Sequence, residues 1–375
     1  MKRMLTYLFS ALFCTVILAG CSSSPVKNSA PSQPESLLAS MSLEEKVYQM
    51  LTVSPEALTG IGTAVQAGEA TKQALAQYPV GGIMYKAKNL ESPGQTKTMI
   101  ANTKAYSAIS PFIAVDEEGG AVARVADTLG TTKFSPMYDY RAEDAEKAYE
   151  IGATLAKDIK QFGFNQDYAP VADIWTNPSN TVISTRAFSD NPEAAAERVT
   201  AAVQGLQENG VIATLKHFPG HGDTAEDSHT GQAFSHKTLD ELRACEFIPF
   251  RAGIEAGADF VMCAHIIVPE VDSLPATLSK TLVTDIMRKE LGFDGVVITD
   301  AMEMGAIADY YSPEEAAVLA IQAGCDMILC PSDMVRAAEG ILTAVQADEL
   351  SEVRIDESVL RILAAKEKYG ILTKD

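Results

Sequence analysis

The sequence predicts an α/β protein built as a single TIM-like (β/α)8 barrel, on three observations. Short apolar runs recur eight times between amphipathic stretches. The runs are apolar almost throughout instead of alternating, which suits parallel strands covered on both faces. Several end on an ionisable residue, as strands do where they open onto a barrel mouth. In order, the strands are expected at 49–53, 81–85, 112–116, 164–170, 211–217, 260–265, 295–300 and 326–330. Helical patterns lie between them at 142–161, 192–209, 238–256 and 313–323, and Ser42 followed by Glu45 reads as a capping box. A doubly wound open sheet is the competing arrangement of the same units.

The first residues carry processing information. Lys2 and Arg3 precede an apolar run from Leu5 to Leu18 that is too short to span a bilayer comfortably, so residues 1–20 read as a signal peptide. Leu18, Ala19, Gly20 and Cys21 resemble a bacterial lipobox, with Cys21 as the lipidated residue. Ser, Pro, Asn and Gln dominate the stretch after it, and residues 21–36 are expected to form a lipid-bearing, disordered tether. The expected location is therefore extracytoplasmic, as a membrane-anchored bacterial lipoprotein. Residues 37–375, about 340 of them, suit one barrel with its loops and call for no second domain.

Charge and cysteines narrow the function classes. The net charge of −20, or −22 without Lys2 and Arg3, comes from dispersed acids and argues against nucleic acid and anionic lipid surfaces as partners. Nothing in the sequence demands more than a monomer, and no cofactor is implied. Cys14 falls in the signal peptide; Cys263, Cys325 and Cys330 lie in apolar runs as small buried hydrophobes, and with Cys245 they match no zinc spacing.

The third expected strand ends in Asp116, the fifth in Lys216 and His217, the sixth in His265 and the seventh in Asp300. In a closed barrel these ends converge on one pocket. Three of the five histidines, His217, His221 and His229, fall in KHFPGHGDTAEDSHT from Lys216 to Thr230, where Gly220 and Gly222 loosen the backbone. Asp227 stands two residues before His229, close enough for a carboxylate to orient an imidazole as an acid–base pair. The same segment also reads as a solvated loop, or as a metal site using His217, His221, Asp223, Asp227 and His229, although the spacings fit no zinc helix motif. His265 reads as a pocket residue or a satisfied core histidine. Trp175 reads as a loop anchor or a sugar platform.

KHFPGHGDTAEDSH resembles the signature of the β-N-acetylhexosaminidase branch of glycoside hydrolase family 3. GGIMY at Gly81, VDEEGGAVAR at Val115, APVADI at Ala169, RAFSDNP at Arg186, ITDAMEM at Ile298 and AGCDMIL at Ala323 follow in the family's order. The resemblance implies a general acid/base at His229 paired with Asp227, a nucleophile at Asp300, and sugar contacts from Asp116, Arg124, Arg186, Lys216 and His217. ITDAMEM has Ala301 where some members carry a second acid, which leaves Asp300 without a rival. Many members of the wider family draw their acid/base from a second α/β domain, for which this length leaves no room.

The implied reaction is retaining hydrolysis of terminal, non-reducing β-linked N-acetylglucosamine in muropeptides or chitooligosaccharides. Two alternatives stand beside it: a β-N-acetylglucosaminide phosphorylase, because a neutral histidine base tolerates phosphate, and a non-catalytic, glycan-binding surface lipoprotein.

Overall fold

The computed structural model describes residues 31–372. The expected signal peptide, Cys21 and the tether up to residue 30 lie outside the described residues. The tether boundary at 36 needs correction: Gln33–Ser40 is helical with Pro34 buried, so residues 33–36 belong to the folded unit that begins at Gln33. This helix packs against the last helix, Glu352–Lys368, contact that a polar composition conceals.

Eight parallel strands close into a barrel: β1 (Leu51–Val53), β2 (Gly82–Met84), β3 (Phe112–Val115), β4 (Gln166–Asp167), β5 (Ile212–Phe218), β6 (Phe260–Cys263), β7 (Val296–Ala301) and β8 (Met327–Leu329). Each pairs with its neighbours in sequence, and β1 closes on β8 through Leu51 opposite Ile328. This excludes the open-sheet alternative. Six of the eight expected runs contain their strand, and β5 and β7 each extend one residue beyond theirs, to Phe218 and Ala301. The other six strands are shorter than the runs because ladder pairing stops where the chain turns into a loop.

The helices begin at side-chain caps. Asp144, Asn191 and Ser312 each accept an amide of the first turn of Ala145–Lys160, Pro192–Glu208 and Pro313–Ala323. Ser42 and Glu45 form the expected reciprocal capping box. The single helix expected at 238–256 is two, Leu239–Ala244 and Phe247–Glu255, because Cys245 leaves helical geometry at φ −136°, ψ −83°. Its apolar periodicity continues through the break, so the pattern hides it.

At the base of the barrel, Phe112 and Phe260 meet edge to face at 5.2 Å. Lys366 from the last helix reaches in over the Phe112 ring and donates to Gln49 Oε1 at 2.8 Å. This apolar floor leaves the opposite end of the strands to carry the polar groups.

Candidate active site

Lys216 lies in β5 with 2 % exposure, and its ammonium bridges two carboxylates: Asp116 Oδ1 at 2.8 Å and Glu118 Oε1 at 2.6 Å. Asp116 follows β3 directly. Glu118 lies in a short strand, Glu117–Gly119, that folds back antiparallel on Val122–Ala123. Glu118 also takes Arg186 with both oxygens, Nε at 2.8 Å and Nη2 at 2.7 Å, while Arg186 Nη1 donates to the Val182 carbonyl at 2.9 Å. This two-pronged geometry fixes the guanidinium plane. Burial alone would raise the Glu118 carboxyl, but Arg186 and Lys216 outweigh it and hold it below the ordinary range. Burial likewise works against the Lys216 charge, and Asp116 and Glu118 reverse the direction.

His217 joins this network from the other side. Its Nδ1 lies 2.6 Å from Asp173 Oδ2, which also accepts the His217 amide at 3.2 Å. A carboxylate oxygen accepts, so Nδ1 carries a proton, and Nε2 lies 3.4 Å from Arg186 Nη2. Burial opposes the Asp173 charge, yet His217 and the His221 amide hold the carboxyl below its usual value. The Lys216–His217 peptide is cis, and both side chains reach the mouth.

His229 stands on the loop after β5, 61 % exposed, with Nδ1 2.7 Å from Asp227 Oδ1. The loop beneath it is held firmly. His221 is buried, with Nδ1 2.7 Å from Thr224 Oγ1 and Nε2 3.0 Å from Ser228 Oγ. Asn180 Nδ2 donates to the His221 and Thr224 carbonyls at 2.8 and 2.9 Å. A Cβ on Gly222 would stand 1.8 Å from the Ile174 carbonyl oxygen, so only glycine lets the loop approach this closely. Beyond His229, Ala233–Phe234 pairs with Ile266–Val268. The Gly305 and Ala306 amides donate to the carbonyls of His229 and Ser228 at 3.2 and 3.3 Å, tying the loop to the segment that follows β7.

Asp300 lies at the end of β7, its Oδ1 accepting the Ala301 amide at 2.7 Å. Burial pushes this carboxyl up, but His265, His217, the Ala301 amide and Lys216 prevail and keep it below the ordinary value. Across the mouth, Lys86 Nζ pairs with Glu303 Oε1 at 2.6 Å.

The structure thus gathers Asp116, Arg186, Lys216 and His217 into one bonded network and pairs Asp227 with His229. Arg124 is the exception: it is exposed at the start of the helix Arg124–Leu129, and among the described residues it forms no ion pair with the network. Glu118, which the sequence reading did not single out, joins Arg186 and Lys216 at the centre of the network. Glu118 and Asp173 lie inside the strings VDEEGG and APVADI, and an acid two or three residues past the end of an expected strand was the signal available.

The remaining candidates resolve as follows. Among the described residues no group of His, Cys, Asp and Glu is gathered to hold a metal. Trp175 is half-buried against Val171, Ile183 and Ala187 and meets Tyr138 edge to face at 5.1 Å, the geometry of a loop anchor. His265 is fully buried between Thr277 Oγ1 and the Ala301 carbonyl. Cys263, Cys325 and Cys330 are buried and free, and Cys245 is free and half-buried.

Known proteins resemble this chain in sequence and in fold. The family model described as glycosyl hydrolase family 3 N terminal domain matches residues 42–365. A Beta-hexosaminidase from Stenotrophomonas maltophilia is 37 % identical over 280 residues, 72 % of this chain and 82 % of that protein. Beta-hexosaminidase A from Pseudoalteromonas piscicida is 32 % identical over 324 residues, and the match spans 78 % of this chain but only 54 % of that longer protein. A solved family 3 β-N-acetylglucosaminidase from Paenibacillus sp. str. FPU-7 superposes with a TM-score of 0.84 at 37 % identity, covering 89 % of this chain and 64 % of the other. A family match over most of the chain, a closed eight-stranded barrel and an ionisable mouth agree: the chain belongs to glycosyl hydrolase family 3.

Proposed function

We propose that this protein is a retaining β-N-acetylhexosaminidase that releases terminal non-reducing β-linked N-acetylglucosamine, with Asp300 as nucleophile and His229, oriented by Asp227, as general acid and base. One observation carries the reading: the loop bearing His229 is hydrogen-bonded through two carbonyls to the segment that follows Asp300. Proton donor and carboxylate are thereby held in one assembly, which retaining hydrolysis requires. The names of the relatives at 37 % identity support the substrate class.

In the first step Asp300 attacks the anomeric carbon while His229 protonates the departing oxygen. In the second, neutral His229 takes a proton from water, which displaces Asp300 and retains configuration. An imidazole titrates near neutrality without the burial a glutamate needs, which suits an exposed donor. Asp116, Lys216, Arg186 and His217 hold the sugar hydroxyls and acetamido group, with Glu118 and Asp173 fixing the cations and the imidazole; Arg124 contacts the sugar only if the glycan brings it inward. Glycans of cell-wall or chitin origin, muropeptides and chitooligosaccharides, are the expected substrates of a protein anchored through Cys21 outside the cytoplasm.

The test is to trap the glycosyl-enzyme with a fluorosugar that slows the second step and to map the label. Label on Asp300, with turnover of an aryl N-acetyl-β-glucosaminide reduced about 10²- to 10⁴-fold in His229→Ala, is the expected result. Label elsewhere, or full turnover in the variant, overturns the assignment. A sugar 1-phosphate formed in phosphate buffer would instead make the protein a phosphorylase, and no turnover on any glycan would make it a binding protein.

A further inference from the structure

β7 pairs in register with β6 from Val296 opposite Phe260 to Thr299 opposite Cys263, and the pairing stops there. On its other edge the register with β8 shifts between Ile298 and Ala301. The ladder therefore loosens where the strand presents Asp300. A side chain takes over at that point: His265, just beyond β6 and fully buried, has Nε2 3.0 Å from the Ala301 carbonyl oxygen.

We propose that His265 is a positioning residue for Asp300, clamping through its Nε2–H the residue whose own amide holds the nucleophilic carboxylate. The connection is continuous. Ala301 gives its carbonyl to His265 and its amide to Asp300 Oδ1 at 2.7 Å. A carbonyl oxygen only accepts, so the imidazole proton must be on Nε2. Nδ1 lies 2.8 Å from the Thr277 hydroxyl, which also reaches the Ala264 and Cys263 carbonyls at 2.8 and 3.1 Å, and Thr277 is itself anchored by its amide to the Ala264 carbonyl at 3.2 Å. Burial works against the charge on this imidazole, and the clamp itself requires only the proton on Nε2. The clamp aims the carboxylate without touching substrate, and aim matters because a displacement of about 1 Å can cost about a hundredfold in rate.

The inference rests on Asp300 being the nucleophile, and the two are tested apart. In His265→Leu, which removes the donor, kcat is expected to fall about 10- to 100-fold while KM changes by less than about threefold, with fluorosugar label still on Asp300 but formed more slowly. The acid limb of the kcat profile should move to higher pH, because a carboxylate that loses its Ala301 amide becomes more basic. His265→Gln, which restores a donor near the Nε2 position, should recover most of the rate. Thr277→Val, which leaves Nε2–H in place, keeps the test open if the leucine variant misfolds, and should lower kcat by less. Label on a residue other than Asp300 refutes the nucleophile. Label on Asp300 at an unchanged rate in His265→Leu, or equal loss in the glutamine and leucine variants with no shift of the acid limb, refutes the clamp.

Discussion

His229 Nδ1 sits 2.7 Å from Asp227 Oδ1, the same oxygen that accepts the His229 backbone amide at 2.9 Å. One carboxylate oxygen thus sets both the backbone turn and the ring orientation, leaving Nε2 as the nitrogen for the proposed proton transfer. Burial would raise the Asp227 carboxyl, but these hydrogen bonds from His229 keep it below its ordinary value, so it stays an acceptor throughout the neutral range.

Asp227→Asn should therefore disable the pair without unfolding the protein. An asparagine can offer its own N–H to Nδ1 and stabilise the wrong tautomer, and kcat should fall by about 10²–10⁴. Asp227 and His229 are both exposed, so Tm should stay close to that of the parent. Steady-state kinetics on an aryl N-acetyl-β-glucosaminide would expose the idea as wrong if the variant turned over normally.

Glu118→Gln should cost stability as well as activity. It removes the anion shared by Arg186 and Lys216, both largely buried, and leaves only Asp116 to balance two cations. Breaking a buried ion pair from one side typically costs about 3–5 kcal/mol. Urea denaturation should show this as a lower midpoint with a similar slope, and a midpoint equal to the parent's would contradict the network's role.

Two glycines of the loop that carries His229 should respond differently to alanine. Gly222→Ala places a methyl against the Ile174 carbonyl, whereas a Cβ on Gly231 meets nothing within 4 Å. The first should lower kcat at least about tenfold by displacing the His229 loop, and the second should change it little. Equal effects would mean that the loop is not seated where the structure has it.

Lys366→Met should stabilise the protein, and the gain should depend on pH. Burial lowers the Lys366 ammonium from 10.5 to about 7, with Gln49 as its hydrogen-bonding partner. Between pH 7 and 10.5 the unfolded chain binds a proton that the folded protein has released, so wild-type stability rises with pH across that window. The methionine variant has no such group. Its advantage, on the order of 2–4 kcal/mol, should be full below about pH 7 and fade as pH approaches 10.5. A difference between the two proteins that is constant in pH would show that the lysine keeps its ordinary basicity.

The eight-strand barrel was legible because each parallel strand is buried on both faces and must be apolar along its length, a pattern independent of distant partners. Asp116, Lys216, His217 and Asp300 were legible for the same reason, since polarity at the end of such a run has little use except at the mouth. Asp227 and His229 were legible because they are local: two residues apart, they meet through a single turn. Glu118 and Asp173 were not, and of His265 only its place at a strand end was legible, not its bond to the Ala301 carbonyl. The partners of Glu118, Arg186 and Lys216, come from separate loops and strands, and an acid beside Glu117 and ahead of two glycines looks like any other until the barrel closes. The break at Cys245 stayed hidden because periodicity records which face is apolar, not whether the axis is continuous. Amino-acid order alone determined the strands, their mouth residues and the local dyad. Closure of the barrel decided which charge meets which, because these ion pairs join residues far apart in the chain and only burial makes their pairing obligatory.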